Sequence, residues 1–448
     1  MTRTLQRHGV RRNLPDVSPS VSPRRRFTGS RLVVALLTVA TVVLAAATYR
    51  VAGVATGYHR SAASLDGTVP EHLVYLRSAL EAGAGERMQA LFPEGYFFSH
   101  VLYGLSWTEL GARRGVSAAT ARGQAQWALS RLSTTHGTAP FDPSLRPAYG
   151  IFYAGWSLLL RSNLAALRAD QASTADHGRI QREADAIAAA LTESLDGSGS
   201  PFLPAYPGGA WPVDTVVAVA ALLAADAATR TGHRPLIRRW VTAVPRYLDA
   251  RTGLLPHRVE VGTGRSLEGS RGSSQSVIQR FWPAADPGGA AESYRRYRER
   301  FVTRELGFVG VREHPAGVSK PGDVDSGPLV LGLSLSASAV TIGAALANGD
   351  GGLATALARE AEVLGVPVSW HGKRRYAAGQ LPVGDAFLVW SRVTAAAPAP
   401  AALPPVRPIW VWWLSLPWLV LSSWWTALAA YGRLHRSRRR RSRRRQCA

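Results

Sequence analysis

Cysteine is all but missing: of 448 residues one is cysteine, Cys447, beside the last position. That excludes a disulfide scaffold and a cysteine nucleophile anywhere in the body. Acid is short as well, with 30 Asp+Glu against 53 Lys+Arg and a formal charge of +23. No GxxxxGK[ST] loop, HExxH, CxxC or G-x-S-x-G elbow occurs, so the common phosphate, zinc, redox and serine-nucleophile signatures are absent. No His/Asp spacing argues for a metal site, and no metal or cofactor is expected. β-Branched alternation is scarce, and the best strand candidate is Leu255–Val261 around the Gly262-Thr263-Gly264 turn. Disorder is excluded by the 46% hydrophobic content, and the length is ample for a large core.

The positive charge is concentrated at the ends. Residues 1–31 carry eight Arg and one Asp, which is +7, and residues 433–448 carry nine Arg and no acid, which is +9. Taking both from +23 leaves +7 for everything between. The body is not a polycation, and no nucleic-acid partner is expected. Each basic tail adjoins an uncharged apolar stretch, Leu32–Tyr49 and Ile409–Tyr431, the second with six Trp. About 20 apolar residues span a bilayer as a helix, and arginine beside a span marks the cytoplasmic side. The lipid bilayer is therefore an expected partner, with both termini cytoplasmic and the body outside the plasma membrane. Pro23-Arg24-Arg25-Arg26-Phe27 resembles a twin-arginine export signal followed by Ala45-Ala46-Ala47. The N-terminal stretch is thus either a retained anchor or an export signal. A third uncharged run, Gly327–Ala347, is read as a helix buried in the body, because a span there would put the C-terminal arginines outside.

The expected order is a basic tail (1–31), a transmembrane helix or export signal (32–55), an extracytoplasmic domain (56–393), a Pro/Ala-rich stalk (394–408), a second transmembrane helix (409–431) and an arginine-rich tail (432–448). Within the domain two kinds of helix alternate. Nearly uncharged ones are expected at Tyr96–Gly111, Tyr149–Leu160, Pro212–Ala225, Ser273–Trp282, Gly327–Ala347 and Gln380–Trp390. One-faced, charged ones are expected at Glu71–Leu80, Ala118–Ser133, Ala175–Leu195, Arg234–Leu248, Gly289–Glu305 and Leu353–Leu364. Helices apolar all round are buried on every side, and one-faced helices lie outside them. Six of each in alternation predicts an all-α fold, an (α/α)6 toroid of two concentric rings; an irregular helical array is the alternative.

In such a toroid the loops entering the inner helices gather at one mouth. Asp214 and Asp325 are the leading catalytic candidates, with Asp323, Glu268 and His257 as assistants; Tyr96, His100, Tyr103, Trp211, Arg271 and Gln275 are candidate substrate contacts. Asp214 is the sole charge from Trp211 to Ala225, in a helix expected to be buried, and a buried carboxyl without a partner has the raised pKa a general acid needs. Each residue also has a plain structural reading. Asp325 or Ser326 would cap a helix before Gly327-Pro328, Asp214 would answer the helix dipole, and Arg271 would neutralise Glu268. His257 and His100 would be satisfied buried histidines, and Tyr149, Tyr153 and Trp156 core.

The alternating helices, with Trp211-Pro212-Val213-Asp214 and Gly322-Asp323-Val324-Asp325-Ser326-Gly327-Pro328 before two inner ones, resemble the six-hairpin toroid enzymes over residues 70–393. That group includes glycoside hydrolases, polysaccharide lyases, sugar epimerases and the linalool dehydratase/isomerase group, whose pocket cysteines have no counterpart in this body. The resemblance implies a hydrolase, lyase or isomerase acting on a glycan or related cell-envelope substrate by carboxylate acid/base chemistry. The competing class is a membrane-tethered glycan-binding or scaffold protein without turnover.

Overall fold

A computed structural model describes residues 26–56, 67–113, 115–167, 174–398 and 415–446. The basic segment 1–25, most of the expected stalk and the start of the second expected span, 399–414, fall outside the described residues, as does Cys447. The chain divides into two units, one formed by the two ends up to Arg50 and from Trp412, the other by the residues between.

Helix α1 spans Arg26–Thr56. Among the described residues two helical segments are long and apolar enough to cross a membrane, Leu32–Gly53 of α1 and Pro212–Thr229. The second is a core helix of the body, since Val216, Val217, Val219 and Leu222 are fully buried there. Each of those side chains contributes about 1.5–3 kcal/mol by leaving water.

The body opens with α2 (Val69–Glu81), α3 (Ala84–Leu91), α4 (Gly95–Ala112), α5 (Ala118–Leu132) and the single turn α6 (Thr135–Thr138). It continues through α7 (Gly150–Ala166), α8 (Thr174–Gly197), α9 (Pro212–Thr229) and α10 (Arg234–Ala243). A small hairpin, β1 (Arg258–Val259) and β2 (Ser266–Glu268), precedes α11 (Gly272–Ala285) and α12 (Ala290–Phe301). Then come strands β3 (Val302–Glu305), β4 (Phe308–Arg312), β5 (Leu329–Val330) and β6 (Leu333–Ser334), which form one antiparallel sheet in the order β3-β4-β6-β5. The body closes with α13 (Leu335–Ala347), α14 (Gly351–Leu364), the hairpin β7 (Val368–Trp370) and β8 (Lys373–Arg375), and α15 (Pro382–Arg392).

The nearly uncharged helices make a closed ring. α4 packs on α7, α7 on α9, α9 on α11, α11 on α13, α13 on α15, and α15 returns to α4. The one-faced helices pack outside: α5 on α4, α8 on α7 and α9, α12 on α11, α14 on α13 and α2 on α15. The body is mostly helical, as an all-α toroid requires. Four inner helices send aromatic rings toward one another, with Phe98 5.8 Å from Trp156, Trp156 5.9 Å from Phe281 and 5.6 Å from Trp390, and Phe98 5.1 Å from Phe387. Arg280 stacks on Trp390 at 3.6 Å and pairs with Glu109 at 2.5 Å, which supplies its buried charge with a counter-ion.

The ring is stitched shut where its ends meet. His72 Nε2 of α2 lies 2.6 Å from Asp385 Oδ1 of α15. Arg392 Nη2 donates to Thr68 Oγ1 at 2.9 Å, and the Tyr376 hydroxyl donates to Glu362 Oε1 at 2.5 Å. Arg374 also pairs with Glu362, and Tyr376 N–H donates to Asp385 at 3.1 Å.

Four expectations need correction. The helix expected over Gly327–Ala347 begins at Leu335, capped by Ser334. Gly327 and Gly332 take positive φ, which glycine adopts freely, so the Gly/Ser-rich stretch folds as a turn and hairpin; Leu335 is 53% exposed. The helix expected to Glu305 stops at Phe301, where the β-branched Val302-Thr303 passes into β3. The helix expected to Leu248 ends at Ala243 and tightens into a single turn through Val244–Tyr247. The body also runs past 393, because Thr394 is buried and Ala397 N–H donates to Leu346 O at 2.9 Å.

In the other unit, α16 (Ser415–Gln446) is one helix that carries the described part of the second expected span straight into the arginine tract. Trp418 Nε1 donates to Thr48 Oγ1 at 2.8 Å and Trp425 Nε1 to Thr41 Oγ1 at 3.1 Å. Rising numbers on one helix meet falling numbers on the other, so α1 and α16 are antiparallel.

Candidate functional site

Pro212 opens α9 and Asp214 follows in its first turn, where the helix dipole favours an acid. The rest of its surroundings do not. Asp214 is buried, and among the described residues its side chain has neither a hydrogen bond nor an ion pair. Burial first, then the charges of Asp325 and Glu94, push its carboxyl well above the usual carboxylate range. It is a buried carboxyl held in an anionic corner.

Glu94 immediately precedes α4 and accepts a very short hydrogen bond from the Tyr206 hydroxyl. Tyr206 lies in the Tyr206-Pro207-Gly208-Gly209 turn, where its N–H donates to Gly209 O at 3.3 Å. Burial, and then Glu94, Asp214 and Asp325, raise the phenol, so it stays a donor. Trp211 stands edge-on to Tyr206 at 5.6 Å, and Arg258 covers its ring at 5.5 Å.

From the other side come His257 and the 323–326 turn. The His257 N–H donates to Glu268 O at 3.1 Å and Gly269 O at 3.2 Å, which ties it to the β1–β2 hairpin. Its Nδ1 lies 2.5 Å from Ser274 Oγ. Its Nε2 lies 3.5 Å from Asp325 Oδ2 and 3.3 Å from Arg271 Nη1. The ring nitrogen thus stands between the Asp325 carboxyl and the Arg271 guanidinium.

Arg271 is the anchor of that wall. Its Nη1 and Nη2 each reach an oxygen of Asp323 at 2.5 Å, and its Nε reaches Glu313 Oε1 at 2.6 Å. Glu268, its expected partner, is 3.7 Å away. Burial works against the Asp323 charge, but the fork from Arg271 outweighs it and draws the carboxyl down to about 2. Asp323 also accepts N–H groups of Asp325 (3.1 Å) and Ser326 (3.3 Å), which shapes the turn. Asp325 is thereby presented in a turn, its side chain 49% exposed and facing His257, not at a helix start. Glu313 meets Arg271 because Gly272 lets β4 approach: a Cβ at Gly272 would lie 2.1 Å from Arg312 O.

The structure thus brings together Asp214, Asp325, His257, Asp323, Glu268, Arg271 and Trp211. Tyr96, His100 and Tyr103 have their contacts elsewhere. His100 Nδ1 lies 2.8 Å from Tyr96 O, its ring packs on Trp127, and burial lowers it to about 4. The Tyr103 hydroxyl donates to Gln124 of α5 at 2.6 Å. Gln275 donates to Leu255 O at 2.7 Å and so supports the segment that carries His257. Glu94 and Glu313 join the site unforeseen, and Tyr206 joins it from the loop before α9. Among the described residues no three His, Cys, Asp or Glu side chains converge as metal ligands.

No protein-family model and no curated protein matches the chain. It is similar to the crystal structure of D-mannose isomerase at 9% identity, with a TM-score of 0.41 over 66% of this chain and 86% of that one. A match at that score carries no argument about the reaction.

Proposed function

We propose that this protein is a membrane-anchored enzyme whose body acts outside the plasma membrane on a glycan or related envelope carbohydrate by acid/base catalysis. The observation that carries it is Asp214, a buried carboxyl with no cation or donor, set beside two other acids. A carboxyl in that setting is kept neutral and able to give up a proton to a leaving oxygen or a ring hydroxyl. Asp325, with His257 behind it, takes the complementary proton, and the Tyr206 oxygen, whose proton goes to Glu94, accepts from a substrate hydroxyl. The half-buried Trp211 ring suits the apolar face of a sugar ring. A glycan-binding scaffold would use that ring but would gain nothing from an unpaired buried acid.

Anchoring is supported by the apolar segment Leu32–Gly53 and by the antiparallel pairing of α1 with α16. Antiparallel helices put the two basic ends on one side, the cytoplasmic one by the charge rule.

The test is incubation of the full-length protein with envelope polysaccharides and their oligosaccharides, followed by mass spectrometry. Fragments that together gain one water identify hydrolysis, fragments that sum to the substrate mass with one unsaturated end identify elimination, and an unchanged mass with altered retention identifies isomerisation. Turnover that Asp214→Asn leaves intact refutes the proposed acid.

A further inference from the structure

The β7–β8 hairpin turns its two faces to different tasks. Its register pairs Val368 with Arg375, Ser369 with Arg374 and Trp370 with Lys373. Side chains alternate across a strand, so Ser369 and Arg374 share one face and Val368, Trp370, Lys373 and Arg375 the other. The first face is tied down: Ser369 Oγ donates to Glu71 of α2 at 2.9 Å, and Arg374 pairs with Glu362. The second is open. Trp370 is 72% exposed, Val368 is 44% exposed, and Lys373 and Arg375 are exposed with no ion pair among the described residues. His371 and Gly372 both take positive φ, the tight two-residue turn that follows strand twist, so the tip is held firm. Leu364, Val366 and Leu381, near the hairpin in sequence, are exposed apolar side chains too, and no acid occurs from Val363 to Gly384.

An indole beside two unpaired cations, among aliphatic side chains and without acid, matches the interface of an anionic bilayer. A bilayer is also within reach of the chain. Residues 57–66 alone separate the end of α1 at Thr56 from Gly67, just before α2, on which the hairpin packs. Ten residues reach roughly 36 Å when fully extended.

We infer that the β7–β8 hairpin docks the body onto the surface of a bilayer containing anionic lipid, with Trp370 and Val368 in the interfacial layer and Lys373 and Arg375 on the headgroup phosphates. This docking rests on the membrane reading of α1 for its tether, and it brings the body to the bilayer by a second contact.

The test uses the full-length protein with Cys447→Ser, carrying Val368→Cys or, as control, the exposed Ala227→Cys, each labelled with an environment-sensitive fluorophore. Both are reconstituted into phosphatidylcholine vesicles, with or without roughly one-third phosphatidylglycerol. In the anionic vesicles the label at 368 shifts to the blue and is quenched by nitroxide lipid, while the label at 227 is quenched by aqueous iodide. Lys373→Gln with Arg375→Gln weakens the docking equilibrium roughly 30-fold and abolishes the shift. Protein that floats with the vesicles while position 368 stays as open to iodide as 227 overturns the docking alone. Protein that floats with neither vesicle overturns docking and membrane anchoring together. A shift that survives removal of both cations overturns the anionic-lipid assignment.

Discussion

The seam and the mouth of the ring are built from the same residue types and solve opposite problems. At the seam each carboxylate has a cation or a set of donors: Asp385 has His72 and the Tyr376 N–H, and Glu362 has Arg374 and the Tyr376 hydroxyl. At the mouth the charges that act on Asp214 are those of Asp325 and Glu94, both negative, and among the described residues no group donates to its side chain. A charge left unpaired in the interior costs stability, and removing one partner from a buried pair costs more. The seam therefore spends its polar groups on closing the ring. The mouth keeps a carboxyl that stabilises nothing, as expected where chemistry, and not packing, selects the residue.

The sharpest way to break this comparison is turnover. Asp214→Asn keeps the shape and removes the proton, so kcat should fall by about a thousandfold, and Asp325→Asn should fall comparably. Assay on whichever glycan the panel identifies checks both. The seam answers in stability instead. Asp385→Ala leaves the His72 ring and the Tyr376 N–H without their acceptor and should cost about 1–3 kcal/mol in denaturant unfolding, while molecules still folded at low temperature turn over at the wild-type rate. If Asp214→Asn costs a similar amount, the two clusters are of one kind and the proposed acid is a structural group.

pH separates them more finely. Burial lowers His72 below its usual 6.5 despite Asp385, so the unfolded chain binds a proton that the native state resists. The stability tied to His72 is full above pH 6.5 and is lost as pH falls below it, by at most about 1.4 kcal/mol per unit. His72→Gln should remove that component from a series of melting curves. Asp214 runs the other way. Its folded pKa is raised, so its contribution is complete below the unfolded value of 3.8 and is lost as pH rises through the folded one. At pH 7 the Asp214→Asn variant should therefore melt at or slightly above the wild-type temperature, a gain of about 1 kcal/mol at most.

Most of the ring was legible because burial class is written in charge: a helix such as Pro212–Thr229, with a single charge in its first three turns, has nowhere to lie but inside. That charge, Asp214, stood out for the same reason, while Asp226 lies in the last turn. The start of α13 was not legible, because Gly327 through Ser334 is as uncharged as the helix it precedes and positive φ at Gly327, Leu331 and Gly332 divides them. Glu94 and Glu313 were missed on different grounds. Glu94 sits one residue outside its helix, where an acid reads as a first-turn charge. Glu313 reaches Arg271 through a four-stranded sheet whose strands have two to five residues each, too short for a period-2 pattern to register. Tyr96, His100 and Tyr103 were aromatic and near an inner helix start, but helical spacing alone does not say which side of α4 faces the axis.

Ring closure has a consequence for how the chain is made. His72 and Asp385 stand 313 residues apart. At 5–20 residues per second the second emerges roughly 15–60 s after the first. Until then α4 and α13 each lack the neighbour they will pack on, and the growing body is an open arc with an apolar edge at either end. The last helical hairpin converts that arc into a ring in one late, long-range step. A chain that stops short of Pro382 would keep both edges bare and offer them to another arc, so quality control on this protein would act at its C-terminal end.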